Sequence, residues 1–310
     1  MPNLDRRRFL SLAAAGAAAS SLPSFAMTPA AAEDFSFLFV TDTHIQPELH
    51  ATEGCQMAFK KARTLHADFA IQGGDHIFDG LAVPMSRSME LFRIYNEAEQ
   101  QLGLKVYHTV GNHDVLGLYT KSGYDLTDPM YGKTYFEEKV GPRYQSFDHK
   151  GVHFIILDSI GFTPERTYFG FLDEIQLGWL RADLAKVSPA TPVIIVSHIP
   201  LVTAYAQYSA PPAIPSKYNS LSVSNTYEIL PLLAKHNVIG VLQGHTHVNE
   251  RVEFNGIPYI TGGAVSGNWW KGIHEGTPEG FTVCTVKDGK LTTRYETYGF
   301  HADPVTGDKE

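Results

Sequence analysis

The run Phe35-Ser36-Phe37-Leu38-Phe39-Val40-Thr41-Asp42-Thr43-His44 decides how the chain is read. Its first six residues are β-prone and almost wholly apolar, as in a strand buried on both faces. Polar side chains able to hold a cation follow at once, where such a strand would end. The pattern recurs. Phe69-Ala70-Ile71-Gln72 runs into Gly73-Gly74-Asp75, and 105–110 runs into Gly111-Asn112-His113-Asp114. The run 152–157 ends in Asp158, 192–196 in Ser197-His198, and 238–242 in Gln243-Gly244-His245-Thr246-His247. Helical stretches at 55–65, 85–102, 172–186 and 225–235 lie between these runs. Strands alternating with helices predict an α/β fold. Further strands are expected at 251–254, 258–261, 281–286 and 291–297, the last pair joined by the Lys287-Asp288-Gly289-Lys290 turn. The sheet system is therefore expected to finish with antiparallel strands. Residues 201–220, rich in Pro, Tyr and Ala, predict a long surface loop whose Tyr205, Tyr208 and Tyr218 are candidate lid residues.

The 310 residues are 43% hydrophobic and 19% charged, which excludes a disordered chain and allows a sizeable core without disulfides. A net charge of −8 argues against wrapping a nucleic-acid backbone, so no nucleic-acid partner is expected. Small anionic substrates remain open, because a bound metal inverts the local field.

Residues 1–32 read as a cleavable twin-arginine export signal. Asp5-Arg6-Arg7-Arg8-Phe9-Leu10 supplies the basic start, an Ala-rich apolar run follows to Leu22, and small residues close it at Ala26 and Ala30-Ala31-Ala32. Cleavage is expected after Ala26 or Ala32, leaving 33–310 as a single domain. The apolar run is too short for a stable membrane anchor. Twin-arginine export machinery is thus an expected partner, and the expected location is periplasmic or secreted. Cys55 and Cys284 would enter an oxidising compartment, and their pairing is open.

The chemistry gathers at the carboxyl ends of the strands, where open α/β sheets place their sites. Asp42, His44, Asp75, Asn112, His198, His245 and His247 offer carboxylate, imidazole and amide donors. That set suits Zn, Mn or Fe, and the lack of thiolates excludes a structural cysteine-type zinc site. It is too large for one tetrahedral ion. It fits two ions sharing a carboxylate, with Asp75 the natural bridge. Two metals about 3.5–4 Å apart clamp the attacking and leaving oxygens of an in-line phosphoryl displacement.

These blocks, Asp42-x-His44, Gly74-Asp75, Gly111-Asn112-His113-Asp114, His198 and Gly244-His245-Thr246-His247, resemble the calcineurin-like metallophosphoesterase superfamily in type and order. The resemblance implies a four-layer α/β/β/α sandwich of two mixed sheets flanked by helices. It implies one metal on Asp42, His44, Asp75 and His247, and a second on Asp75, Asn112, His198 and His245. Purple acid phosphatases carry a Tyr ligand three residues after the bridging Asp, where this chain has Phe78. Asp-x-His in the first block and Gly-Asn-His-Asp in the third are similar to the class III cyclic-nucleotide and glycerophosphodiester phosphodiesterases. Asp79, following His76-Ile77-Phe78, departs from that group's pattern.

The expected reaction is hydrolysis of a small phosphorylated substrate, a phosphodiester, by hydroxide formed at the metals. His113 is the expected general acid, with Asn112 and His113 binding substrate and Asp114 holding the His113 imidazole. A phosphomonoesterase with the same site is the near alternative. A non-catalytic metal-binding or recognition module is the alternative of another kind. His76 could line the metal pocket, His108 could touch the site, and Asp158 could support a ligand or merely end a strand. His153 reads as structural, and Trp179, by its helical spacing, as core. Trp269 and Trp270, in a Gly-rich stretch, could stack on a flat group or pack the second sheet.

Overall fold

β1 (Phe35–Val40) faces two cores at once: Phe35, Phe37 and Phe39 point into one apolar cluster, Leu38 and Val40 into another. That is why the run is apolar without alternation. The structure is a computed structural model described over residues 32–209 and 218–304. The expected export signal lies outside these residues apart from Ala32, and so does part of the expected loop.

β1 is the centre of a five-stranded sheet. It pairs in parallel with β2 (Ala70–Gln72), which pairs in parallel with β3 (Val106–His108). On its other side it pairs antiparallel with β12 (Gly280–Lys287), which carries β13 (Lys290–Thr297) at the edge. Asp288 and Gly289 join the last two strands with positive φ at both positions, the two-residue turn that matches strand twist.

The second sheet has six strands. β5 (Val152–Leu157), β8 (Pro192–Ser197) and β9 (Asn237–Gln243) run parallel, followed by β11 (Ile257–Gly262) parallel to β9. Antiparallel edges are added by β4 (Gln145–His149) and β10 (Asn249–Phe254). A two-stranded hairpin, β6 (Ile160–Phe162) with β7 (Tyr168–Gly170), stands apart.

Three apolar clusters define the layers. The aromatic-rich middle one, with Phe37, Phe69, Phe154 and Ile194, lies between the sheets. A second packs helices Ala51–Arg63 and Met85–Glu99 on the first sheet. The third packs helices Glu174–Leu184 and Thr226–Leu233 on the other. The result is the expected α/β/β/α sandwich. Both cysteines are buried and free, Cys55 in the helix-side cluster and Cys284 between the sheets. Trp179 packs at the rim of the third cluster, partly buried. Among the described residues no helix is long and apolar enough to cross a membrane.

Candidate metal centre

Every expected ligand lies where a parallel strand has just ended, and the backbone there is unusual. Asp42, His44, Asp75, His245 and His247 all have φ between 39 and 73°. This left-handed region is uncommon for side-chain-bearing residues, and such outliers concentrate at functional sites. Backbone bonds lock the loops together. Asp42 N–H donates to Gly74 O, and His44 N–H to Asp75 O, each at 3.0 Å. Gly111 is required by contact: a Cβ there would collide with the backbone nitrogen and Oδ1 of Asp75.

The donor atoms converge. His247 Nε2 is 3.4 Å from Asp42 Oδ1 and 3.0 Å from His44 Nε2. His44 Nε2 lies 3.5 Å from Asp75 Oδ2, and His198 Nε2 lies 3.2 Å from the same oxygen. His198 Nε2 is also 3.1 Å from Asn112 Oδ1. Asp42, His44 and His247 form one tight group and Asp75, His198 and His245 another, with Asp75 also within reach of His44 and His113. Asp75 Oδ1 is held by the His113 N–H at 2.8 Å, which leaves Oδ2 to face both sides.

Backbone carbonyls orient the rings. His198 Nδ1–H donates to Gly73 O at 2.8 Å, and His247 Nδ1–H to Gly267 O at 2.6 Å. His245 Nε2–H donates to Ser220 O at 2.8 Å, which turns its Nδ1 away from that carbonyl. Fixing one nitrogen as a donor leaves the lone pair on the other. In the neutral His198 ring that lone pair confronts the Asp75 carboxylate and the Asn112 amide oxygen. Acceptors do not face acceptors in a buried site unless a cation or proton lies between them. The donor set and its arrangement therefore fit a pair of metal ions.

The same packing sets the charges, and where no ion stands a proton on His198 serves these acceptors. Burial opposes charge on His198, but the adjacent Asp75 carboxylate overrides it and pushes the ring up to about 9. Burial, with His198 nearby, pushes His245 down to about 4. Burial also holds His44 well below the usual histidine range. Burial raises Asp75, yet the rings of His198 and His113 outweigh it and hold the carboxyl well below its usual range.

His113 sits at the edge of the cluster. Its ring meets His44 edge-on at 4.7 Å, and its Nδ1–H donates to Phe78 O at 2.6 Å. Asp114 does not hold this ring, contrary to the sequence expectation. Its carboxylate accepts from the N–H groups of Asp75, His76 and Gly111 at 2.9–3.0 Å and meets His76 Nδ1 at 2.8 Å. The tight turn at 111–115 sends adjacent side chains opposite ways. His76 thus lies behind the ligand loops, where its Nε2 meets His108 Nδ1 at 3.0 Å, and neither ring enters the metal groups. Asp158 is engaged by Lys133 at 2.6 Å and Arg143 at 3.0 Å. Asp79 caps a turn through Leu81 N–H and Ala82 N–H. His153 is held between Asp148 and Asp183.

The two tryptophans divide. Trp270 is 1% exposed, and its Nε1–H donates to the carbonyls of Thr43 and His44. Trp269 is half-buried, with its ring 4.4 Å from His247. Sequence reading passed over His274, 5.7 Å from both His247 and Trp269, and Tyr168, whose ring is 6.0 Å from His245. Neither belongs to a motif, since the tertiary fold alone brings them in.

The α/β/β/α sandwich thus gathers two acidic residues, four imidazoles and an amide at its strand ends, a donor set suited to divalent metal ions. The chain belongs to the calcineurin-like phosphoesterase family, which it matches over residues 35–249. It is 25% identical over 171 residues to a curated protein described as a probable cyclic nucleotide phosphodiesterase from Rhodococcus erythropolis. That match covers 54% of this chain and 48% of the relative, so the chain spans about half the relative's length. The fold is similar to a dimetal phosphatase from Danio rerio, with a TM-score of 0.58, 15% identity, and 86% and 99% of the two chains covered. It is also similar to a purple acid phosphatase from yellow lupin (Lupinus luteus) seeds, with a TM-score of 0.57, 13% identity, and 87% and 53% covered. Family, fold and donor set agree: the residues that the family motifs supply form a cluster that fits two metal ions.

Proposed function

We propose that this metallophosphoesterase hydrolyses phosphodiesters and that His113 protonates the departing oxygen. The observation that carries this reading is the His113 ring. Its Nδ1–H is committed to the Phe78 carbonyl, and its Nε2 is left as the working nitrogen beside His44 and Asp75. Asp42, His44, Asp75 and His247 would hold one ion, and Asp75, Asn112, His198 and His245 the other; Mn, Fe and Zn all suit these donors. Two such ions would polarise the phosphoryl oxygens and acidify a water near neutral pH.

The chain's own residues do the rest. Asp75, fixed through Oδ1 by His113 N–H, keeps both halves of the site in register. Asn112 and His113, adjacent on one turn, flank the place where the phosphoryl group must lie. A protonated His113 Nε2 gives its proton to the ester oxygen as the P–O bond breaks, so the alcohol departs neutral. Asp114 contributes through the backbone of Asp75 and Gly111. The relative from Rhodococcus erythropolis supports the diester reading. Export by the twin-arginine route, to the periplasm or beyond, is supported by Arg6-Arg7-Arg8-Phe9-Leu10.

The test is turnover of purified, Mn-reconstituted protein on glycerophosphoethanolamine and on glycerol 3-phosphate, with His113→Ala alongside. Faster turnover of the diester, falling steeply in the variant, is expected. Preference for the monoester would move the protein to the phosphatase reading. Two bound metals with no turnover on either would favour a binding module.

A further inference from the structure

We propose that Trp269 is a stacking platform selecting phosphodiesters with an ester arm that carries a planar aromatic ring; this rests on the phosphodiesterase reading above. The turn 266–272 is built to hold that ring in one place. Trp270 anchors it from beneath, its buried indole N–H shared between the Thr43 and His44 carbonyls. Trp270 N–H donates to Ser266 O at 2.7 Å, and Asn268 N–H to Gly272 O at 2.8 Å. Both tryptophans pay with left-handed backbone, φ 48° at Trp269 and 70° at Trp270. For bulky residues this is strain, and it persists only where the surroundings over-determine it.

The strain places Trp269 beside the chemistry. Its ring lies 4.4 Å from His247 and 5.9 Å from His44, and His44 in turn meets His113 at 4.7 Å. Trp269 and His113 therefore both border the His44 ring. A substrate arm that passes over the His44 and His247 side of the cluster reaches the indole. The indole is only half-buried, so part of its surface is open to such an arm. His274 stands nearly perpendicular to it at 5.7 Å and 80°. The Tyr205 hydroxyl lies 3.2 Å from His274 Nε2, and Tyr208 packs edge-on against Tyr205. These rings form an aromatic wall on one side of the metal centre. A wall of this kind gains little from an alkyl group and much from a flat π-system, which stacks whatever its edge substituents.

The test compares the Mn-loaded full chain with Trp269→Leu and Trp269→Phe. Bis(4-nitrophenyl) phosphate, aromatic on both arms, is set against glycerophosphoethanolamine, aromatic on neither. Binding of phenylphosphonate and methylphosphonate is measured by calorimetry on the same samples. Trp269→Leu is expected to raise KM for the aryl diester about tenfold more than KM for the alkyl diester, within the range of base–aromatic stacking. The preference for phenyl- over methylphosphonate should fall by a similar factor, and Trp269→Phe should recover most of both. Equal KM changes on the two diesters, or an unchanged phosphonate preference, would overturn the platform and leave Trp269 a brace for His247. No diester turnover, with a phosphonate preference that depends on Trp269, would overturn the phosphodiesterase reading and keep the platform.

Discussion

The Nδ1 nitrogen of His113 lies 2.6 Å from the carbonyl oxygen of Phe78. A carbonyl can only accept, so this contact protonates Nδ1 and leaves the lone pair on Nε2. Phe78 stands three residues after Asp75, where purple acid phosphatases present a phenolate ligand, and here the position supplies backbone instead.

A general acid matters in proportion to how badly the leaving oxygen bears charge. His113→Ala should therefore lower kcat by about 10²–10⁴-fold on a diester with an alkyl leaving group. The same variant should lose far less on bis(4-nitrophenyl) phosphate, whose nitrophenolate departs readily as an anion. Steady-state kinetics on the two substrates, with metal content assayed in each preparation, check this. Equal losses on both would remove the acid role and point to a defect in substrate placement.

Asp114 and His76 make the second prediction. The buried Asp114 carboxylate satisfies the N–H groups of Asp75, His76 and Gly111 as well as the His76 ring. Asp114→Ala leaves these groups without an acceptor. Buried donors left unmet cost ~1–3 kcal/mol each, and the largest single substitutions reach about 4–5 kcal/mol. A loss of about 4 kcal/mol should lower Tm by about 8–16 °C in a domain of this size. Metal affinity should fall about 10–100-fold because the Asp75 loop loosens. Asp114→Asn, which keeps an oxygen, should lie between. Calorimetric melting and metal titration of both variants decide the matter; an unchanged melt would show that other bonds hold the loops.

How far these features could be read from the chain depends on which forces made them. β1, β5 and β8 were legible because burial on both faces leaves an unbroken apolar run. β4 (Gln145–His149) was not, because an edge strand needs less apolar surface, and all its residues keep some exposure. The β6–β7 hairpin has three residues per strand, too few to show a period. The helix Ala51–Arg63 starts four residues before the predicted stretch, since its cap residue His50 makes no side-chain cap bond. The residues of the donor cluster were legible because each follows a strand end. The partner of Asp114 was not, because adjacency says nothing about which way neighbouring side chains leave a turn. His274 and Tyr168 reach the centre only through tertiary packing.

The third prediction concerns the junction between the two sheets. Asp68, just before β2, bonds His149 at the end of β4 at 2.8 Å and Lys150 in the turn that follows at 2.7 Å. The Lys150 ammonium, working against partial burial and helped by His149, holds the Asp68 carboxyl below its usual range. A carboxyl lowered in the folded state stabilises the fold above its unfolded pKa of about 3.9. That contribution fades as pH falls through the folded value. The Tm difference between the natural protein and Asp68→Asn should thus be full at pH 6–7, begin to shrink near pH 4, and vanish as pH falls through the lowered folded value. A difference that stays constant over that range would show that Asp68 acts through packing.

Two glycines separate function from stability. At Gly111 a methyl group would drive into the backbone and carboxylate of Asp75, so Gly111→Ala must displace that carboxylate from the donor cluster. At Gly178, exposed within the helix Glu174–Leu184, a methyl group would meet nothing within 4 Å. There the substitution only removes freedom from the unfolded chain and raises helix propensity. Gly178→Ala should therefore stabilise by about 0.4–1 kcal/mol and raise Tm by about 1–4 °C, with metal content unchanged. Gly111→Ala should lose metal stoichiometry, and with it turnover, while its far-ultraviolet circular dichroism stays that of the folded sandwich. The contrast is decisive because both changes add the same single carbon. If Gly111→Ala bound two metals normally, Asp75 would have room to shift, and the close approach at 111 would not be what holds that carboxylate in place.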